Sequence, residues 1–170
     1  VGVAILGITR LLPGKLPGSG GKLTASESQE LIERHLAHWL ARHAGESGAV
    51  VYAPPRETAT LSFYGGLHGV GTFAAENREG FGASLMIAAA KTMEEAQGLL
   101  LARSVRYIVI PSWDPFFDEF AQRYLAKNFS NRTSLLAQEL RRWNLPPWLR
   151  PIPYQIPVSG GFEGQSVLVF

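Results

Sequence analysis

Thr92-Met-Glu-Glu-Ala-Gln-Gly-Leu-Leu-Leu-Ala-Arg-Ser-Val-Arg-Tyr-Ile-Val-Ile110 runs from a helix start, through an apolar helix face, into a β-branched strand. Thr92 and Glu95 stand at capping-box spacing, the hydroxyl bonding toward the Glu95 amide and the carboxylate reaching back. A helix over 93–103 follows, with Ala96, Leu99, Leu100 and Met93 on one face, and Val105–Ile110 is the clearest strand in the chain. A helix that feeds such a strand is half of a βαβ unit, which calls for a parallel sheet flanked by helices.

Upstream, Leu31, Ile32, Leu36, Trp39 and Leu40 recur at spacings of three and four, which predicts a helix over 26–43. Thr24 or Ser26 suits its N-cap and Gly45 its C-terminal cap. Ala49–Ala53 is a short apolar run stopped by Pro54-Pro55 and reads as a buried strand. Thr58–Phe63 reads as a second strand, followed by a glycine-rich turn and a helix over 77–90. Downstream, Asp114 suits an N-cap and Pro115 the first helical position. Phe116, Phe117, Phe120 and Tyr124 would then line that helix with aromatic rings. A last helix is expected over 133–143, an extended proline-rich segment over 145–158, and a closing strand over 165–170. The expectation is one three-layer, Rossmann-like α/β domain over 26–170, with a mainly parallel sheet of about four or five strands.

The 170 residues fit one domain, and 46% hydrophobic residues suffice for a real core. Charged residues make up 18%, fewer than the usual ~25%, which hints at surface covered by a partner domain or a membrane. A net charge of +2 gives nucleic-acid binding little support. The absence of cysteine excludes disulfides, zinc–thiolate sites, iron–sulfur clusters and thiol nucleophiles. Residues 1–25 divide into an apolar run, Val1–Ile8, and a Gly/Pro-rich linker over 13–25. The run is far short of the ~20 residues a bilayer needs and lacks the charged start of a signal peptide. It reads as a strand, or else as the end of a transmembrane helix that begins upstream.

The densest cluster of unusual residues is Phe63-Tyr-Gly-Gly-Leu-His-Gly-Val-Gly-Thr72, followed by Glu76-Asn77. Glycines before a helix let a backbone approach a ligand and suit an anion site. Tyr64, Gly65, Gly66, His68, Gly69, Gly71, Glu76 and Asn77 are therefore candidate ligand-binding residues, and a plain structural turn is the competing reading. The spacing Gly66-x-x-Gly69-x-Gly71 is not the dinucleotide fingerprint, and no P-loop lysine follows, so no cofactor is expected. Trp113 and Asp114 join the candidates because open α/β sheets bind ligands beyond the carboxyl ends of their strands. Tyr64 and Trp113 suit sugar stacking. For Asp114, helix capping explains the residue equally well.

His35 and His38 are three apart on a helix, near one face, but only Glu30 or Glu33 could complete a metal set, so no metal is expected. There is no Gly-x-Ser-x-Gly elbow, and no catalytic residue is assigned. Asn128-Phe-Ser130 and Asn131-Arg-Thr133 match the glycosylation sequon, which matters only in a secretory setting.

From Tyr64-Gly-Gly-Leu-His-Gly-Val-Gly-Thr-Phe-Ala-Ala-Glu-Asn77, through Ala96–Ile110, to Leu149-Arg-Pro-Ile-Pro-Tyr154 and the terminal strand, the chain resembles the soluble C-terminal portions of bacterial polytopic membrane proteins. Those proteins look like C-type glycosyltransferases and, distantly, oligosaccharyltransferase catalytic subunits. The resemblance covers about residues 48–170 as a pattern of loops and strands. It implies a parent whose membrane helices carry the catalytic carboxylates, with this domain on the extracytoplasmic, periplasmic side. The implied partners are the transmembrane portion of the same polypeptide and a lipid-linked sugar or glycan acceptor. Oligosaccharyltransferases carry a Trp-Trp-Asp-Tyr-Gly acceptor motif. Here Ser112-Trp-Asp-Pro-Phe116 lacks the second Trp, the Tyr and the Gly, so that role is not carried over. Two other readings compete. One is a free-standing enzyme or binding protein for a phosphorylated small molecule, with His68 or Asp114 as acid/base. The other is a structural interaction domain.

Overall fold

Parallel pairing is set by the crossovers that the sequence announces. The computed structural model describes residues 23–45, 48–119, 134–157 and 162–170. Among them the elements run α1 (Ala25–Ala44), β1 (Val50–Tyr52), α2 (Pro55–Gly65), β2 (His68–Gly69), a 3-10 turn (Ala75–Asn77), α3 (Arg78–Ala88), α4 (Met93–Ala102) and β3 (Val105–Pro111). A second 3-10 turn (Pro115–Phe117), then α5 (Leu135–Arg141) and β4 (Val167–Val169), complete the order.

The sheet order is β2-β1-β3-β4. β1 pairs in parallel with both β2 and β3, and β4 runs antiparallel to β3. Side chains alternate across this sheet, as the two-residue period of a strand requires. Tyr52, Ile108 and Ile110 face Leu85 and Ile87 of α3, Leu100 of α4, and Leu136 and Leu140 of α5. Val51, Val109, Val167 and Val169 face Leu36 and Leu40 of α1 and Leu61 of α2. The result is three layers. The chain passes from β1 over one face to β2 and returns over the other face to β3, which gives both crossovers the same hand.

Thr24 caps α1 in a full capping box with Glu27, and Gly45 closes it. Leu31 lies outside the buried stripe of α1, 41% exposed. At α4 the Thr92 hydroxyl accepts from the Glu95 amide as expected, but the Glu95 carboxylate takes the Lys91 amide instead of that of Thr92.

Two expectations are corrected. Thr58–Phe63 is the body of helix α2, not a strand, and the second strand is the two-residue His68–Gly69 inside the glycine-rich segment. Pro54-Pro55 ends β1 as expected, but Pro55 also occupies the first turn of α2, a position that needs no N–H. The buried residues Thr58 and Leu61 are then three apart, on one helical face. Asp114-Pro115 opens only a short 3-10 turn among the described residues, with Phe116 and Phe117 buried in the core. Phe120, Tyr124, Asn128, Asn131, the apolar run Val1–Ile8 and the 13–25 linker up to residue 22 lie outside the described residues, and the linker's last two residues, Thr24 and Ala25, are the cap and start of α1. No described helix is long and apolar enough to cross a membrane.

The proline-rich segment is extended. Ile152, Tyr154 and Ile156 alternate inward, between exposed Pro151, Pro153, Gln155 and Pro157. Trp148 and Leu149 pack on one side of the sheet, while Ile152 and Tyr154 pack on the other. The segment therefore wraps the free edge of β4, where the Ile152 amide bonds the Val169 carbonyl at 2.8 Å.

Candidate functional site

The three parallel strands all end at one edge of the sheet, and there β1 is the point of divergence. Pro54–Glu57 leaves toward the α1/α2 face, where Trp113 also packs, whereas Val70, Phe116 and Phe117 pack on the other face. Open α/β sheets hold ligands at such a divergence. Arg56, Glu57, Trp113 and Asp114 occupy it.

Glu57 lies in the first turn of α2 and is 1% exposed. Its Oε1 is buried and has no hydrogen-bond partner among the described residues. Burial, and then the nearby carboxylates of Glu33 and Asp114, push its carboxyl up to about 8, with Arg56 opposing. At neutral pH Glu57 is mostly a neutral acid. Glu33, 6% exposed on α1, accepts a bond from the Gln29 side chain at 2.6 Å. Asp114 Oδ1 accepts from the Phe116 amide at 2.8 Å. Burial raises the Asp114 carboxyl above its ordinary range, partly offset by that amide and by Arg56.

Two aromatic residues close the corner. The Trp113 ring packs against Phe162 at 5.2 Å, and its indole Nε1 is buried with no hydrogen-bond partner among the described residues. Tyr154 comes from the wrapping segment. Its hydroxyl lies 3.0 Å from His35 Nδ1 and donates to the Ile32 carbonyl at 3.5 Å. Burial, and then the Glu57 charge, hold Tyr154 protonated well above the usual tyrosine range. A third orphan, Ser84 Oγ, lies in α3, in the other helical layer.

The structure divides the glycine-rich candidates between the two edges. α2 starts at the carboxyl edge and ends at the amino edge, so Tyr64, Gly65, Gly66 and the exposed His68 stand about 12 Å along its axis from Arg56. Gly71, Glu76 and Asn77 share the carboxyl edge with Trp113 and Asp114, with β1 between the two groups. That places them about two strand spacings apart, roughly 10 Å. Tyr64 and Trp113, at opposite edges, do not form one stacking platform.

Packing accounts for the glycines. Gly66 adopts φ +63° as the left-handed cap of α2. A side chain at Gly65 would meet the Ala37 carbonyl of α1 at 2.8 Å, one at Gly69 would collide with Thr58, and one at Gly71 would meet the Gly80 carbonyl at 2.8 Å. Asn77 donates to the Thr72 hydroxyl at 3.3 Å, and Glu76 is exposed. His35 faces Tyr154 and His38 lies edge-on to Tyr64, 6.3 Å between ring centres. No group of three or more potential ligand side chains among the described residues could hold a metal ion.

Sequence reasoning missed Glu57, Glu33, Arg56 and Tyr154. The signal for Glu57 was the Pro-Pro-Arg-Glu run after an apolar strand, which places an acid in the first turn of a helix.

No family model matches the chain, and no curated protein sequence matches it. Among solved structures it is similar to the C-terminal globular domain of an oligosaccharyltransferase from Archaeoglobus fulgidus. The TM-score is 0.51 at 15% sequence identity, over 80% of this chain and 93% of that one. At that identity the likeness is one of fold.

Proposed function

We propose that this is a non-catalytic, extracytoplasmic module of a glycosyltransferase-like membrane protein, and that its carboxyl edge forms one wall of an acceptor or donor groove. The shared fold with an oligosaccharyltransferase C-terminal domain supports the setting. The observation that carries the reading is a pair of unmet polar atoms, Glu57 Oε1 and Trp113 Nε1, at the divergence of the strands. Buried polar atoms ordinarily have partners, so two orphans at the same sheet end mark a place where a ligand group would be satisfied. The indole N–H only donates and a carboxyl oxygen accepts; a hydroxyl does both. A hydroxyl-bearing sugar or acceptor fits this pair. In this reading the chemistry belongs to membrane helices of the same polypeptide. The partners are those helices and a lipid-linked sugar or glycan acceptor.

A phosphate cradle in the glycine-rich segment has less support, because each glycine there already has a cap or packing role. A neutral trisaccharide such as maltotriose, titrated at neutral and mildly alkaline pH, should move the indole N–H resonance of Trp113. Trp113→Phe should weaken binding about fivefold. If millimolar saccharide moves none of the four indole signals, the reading fails.

A further inference from the structure

The corner around Glu57 is closed as it stands. Glu57 is 1% exposed, yet carboxylates from two other elements act on its charge: Glu33 on α1 and Asp114 after β3. Arg56 is the cation that opposes them, and Tyr154 faces the group from the wrapping segment. His35 stands one step further out, bonded to the Tyr154 hydroxyl. Such a packing tolerates Glu57 as a neutral acid. An anion in the same place would be dry, lack a bond to one oxygen and face two more carboxylates, so it must be hydrated or leave.

We propose that Glu57, with the carboxylates of Glu33 and Asp114 acting on it, is a proton-operated latch: protonated Glu57 keeps the first turn of α2 seated and the carboxyl edge shut, and release of the proton frees that turn and opens the edge beside it. The geometry makes the latch local. Glu57 sits at the start of α2, next to Pro54 and Pro55, while the far end of that helix is fixed by the close approach of Gly65 to α1 at the other edge. Opening can therefore unseat the first turn without separating the two helices. Burial and the neighbouring carboxylates place the titration near 8, just above neutral, where a modest rise in pH moves it. The latch regulates the groove proposed above and rests on that reading for its purpose, but not for its existence.

Amide hydrogen exchange of the full chain without ligand, corrected for base-catalysed exchange, reads the opening directly. Protection of the amides over 58–61, the first of which bonds the Pro54 carbonyl, should fall about tenfold through a midpoint near 8. Glu57→Gln should hold protection flat over the same range. Asp114→Asn should move the midpoint down by roughly half a pH unit or more, because one repelling carboxylate is gone. That shift tests the latch even if Glu57→Gln fails to fold. A transition that persists in a folded Glu57→Gln, a midpoint unmoved in Asp114→Asn, or a wild type with no transition would each overturn it. Saccharide binding without any opening would sink the latch alone, and opening without saccharide binding would sink the groove alone.

Discussion

The glycine-rich bend over 63–72 and the acid corner at Glu57 and Asp114 divide what the molecule displays from what it leaves unfinished. The bend is dense in unusual residues, and nearly every one has a structural employment: a cap at Gly66, contacts at Gly65, Gly69 and Gly71. The corner looks ordinary in the chain, but it holds a buried acid and an indole with unmet atoms. Residue rarity reports what the backbone must do. Unmet polarity reports where something is still to be bound.

The comparison breaks most forcefully at Gly71. A side chain there meets the Gly80 carbonyl and the Ser84 Cβ, both at 2.8 Å, so α3 must move away from the loop. Gly71→Val should cost about 3 kcal/mol or more, read as a lower urea midpoint. A substitution that left stability intact would mean the glycine is not there for packing.

The acid corner is next in size. Folded Glu57 keeps its proton up to about 8, whereas the ordinary carboxyl value is 4.5. Between those values unfolding releases a proton, so this group's contribution is complete at acid pH and is lost as pH rises toward 8. The slope should be about 1.4 kcal/mol per pH unit across most of that window. Glu57→Gln stays neutral and should remove that slope, measured as unfolding free energy against pH for both proteins. Parallel slopes would show that Glu57 ionises freely in the folded chain.

These two tests also show what could be read in advance. The layers were legible because periodicity is a local property: α1, α3, α4 and β3 carry their stripes within their own residues. Thr58–Phe63 was misread because its Thr, Ser and Phe suit strands, and the deciding information lay in Pro55 and in the α1 surface that α2 packs against. Trp113 and Asp114 were legible as the end of a parallel strand. Glu57 was not, because the groups that act on its charge come from α1, at Glu33, and from the turn after β3, at Asp114, and no local pattern encodes that meeting. The fivefold loss expected for Trp113→Phe is smaller still, since it removes one donor and keeps the ring's contact with Phe162.

The smallest effect discriminates best. Gly66 has open space around its missing side chain, nothing lying within 4 Å, so Gly66→Ala adds no clash and tests the dihedral alone. At φ +63° that substitution should cost about 1 kcal/mol of stability. If the bend serves only as a turn, saccharide affinity measured by the Trp113 indole shift should be unchanged, because the cap lies at the amino edge of the sheet. If instead the glycines hold a ligand against bare backbone, the same methyl group should cut affinity as well as stability. A parallel loss of both would move the binding site from the acid corner back to the bend.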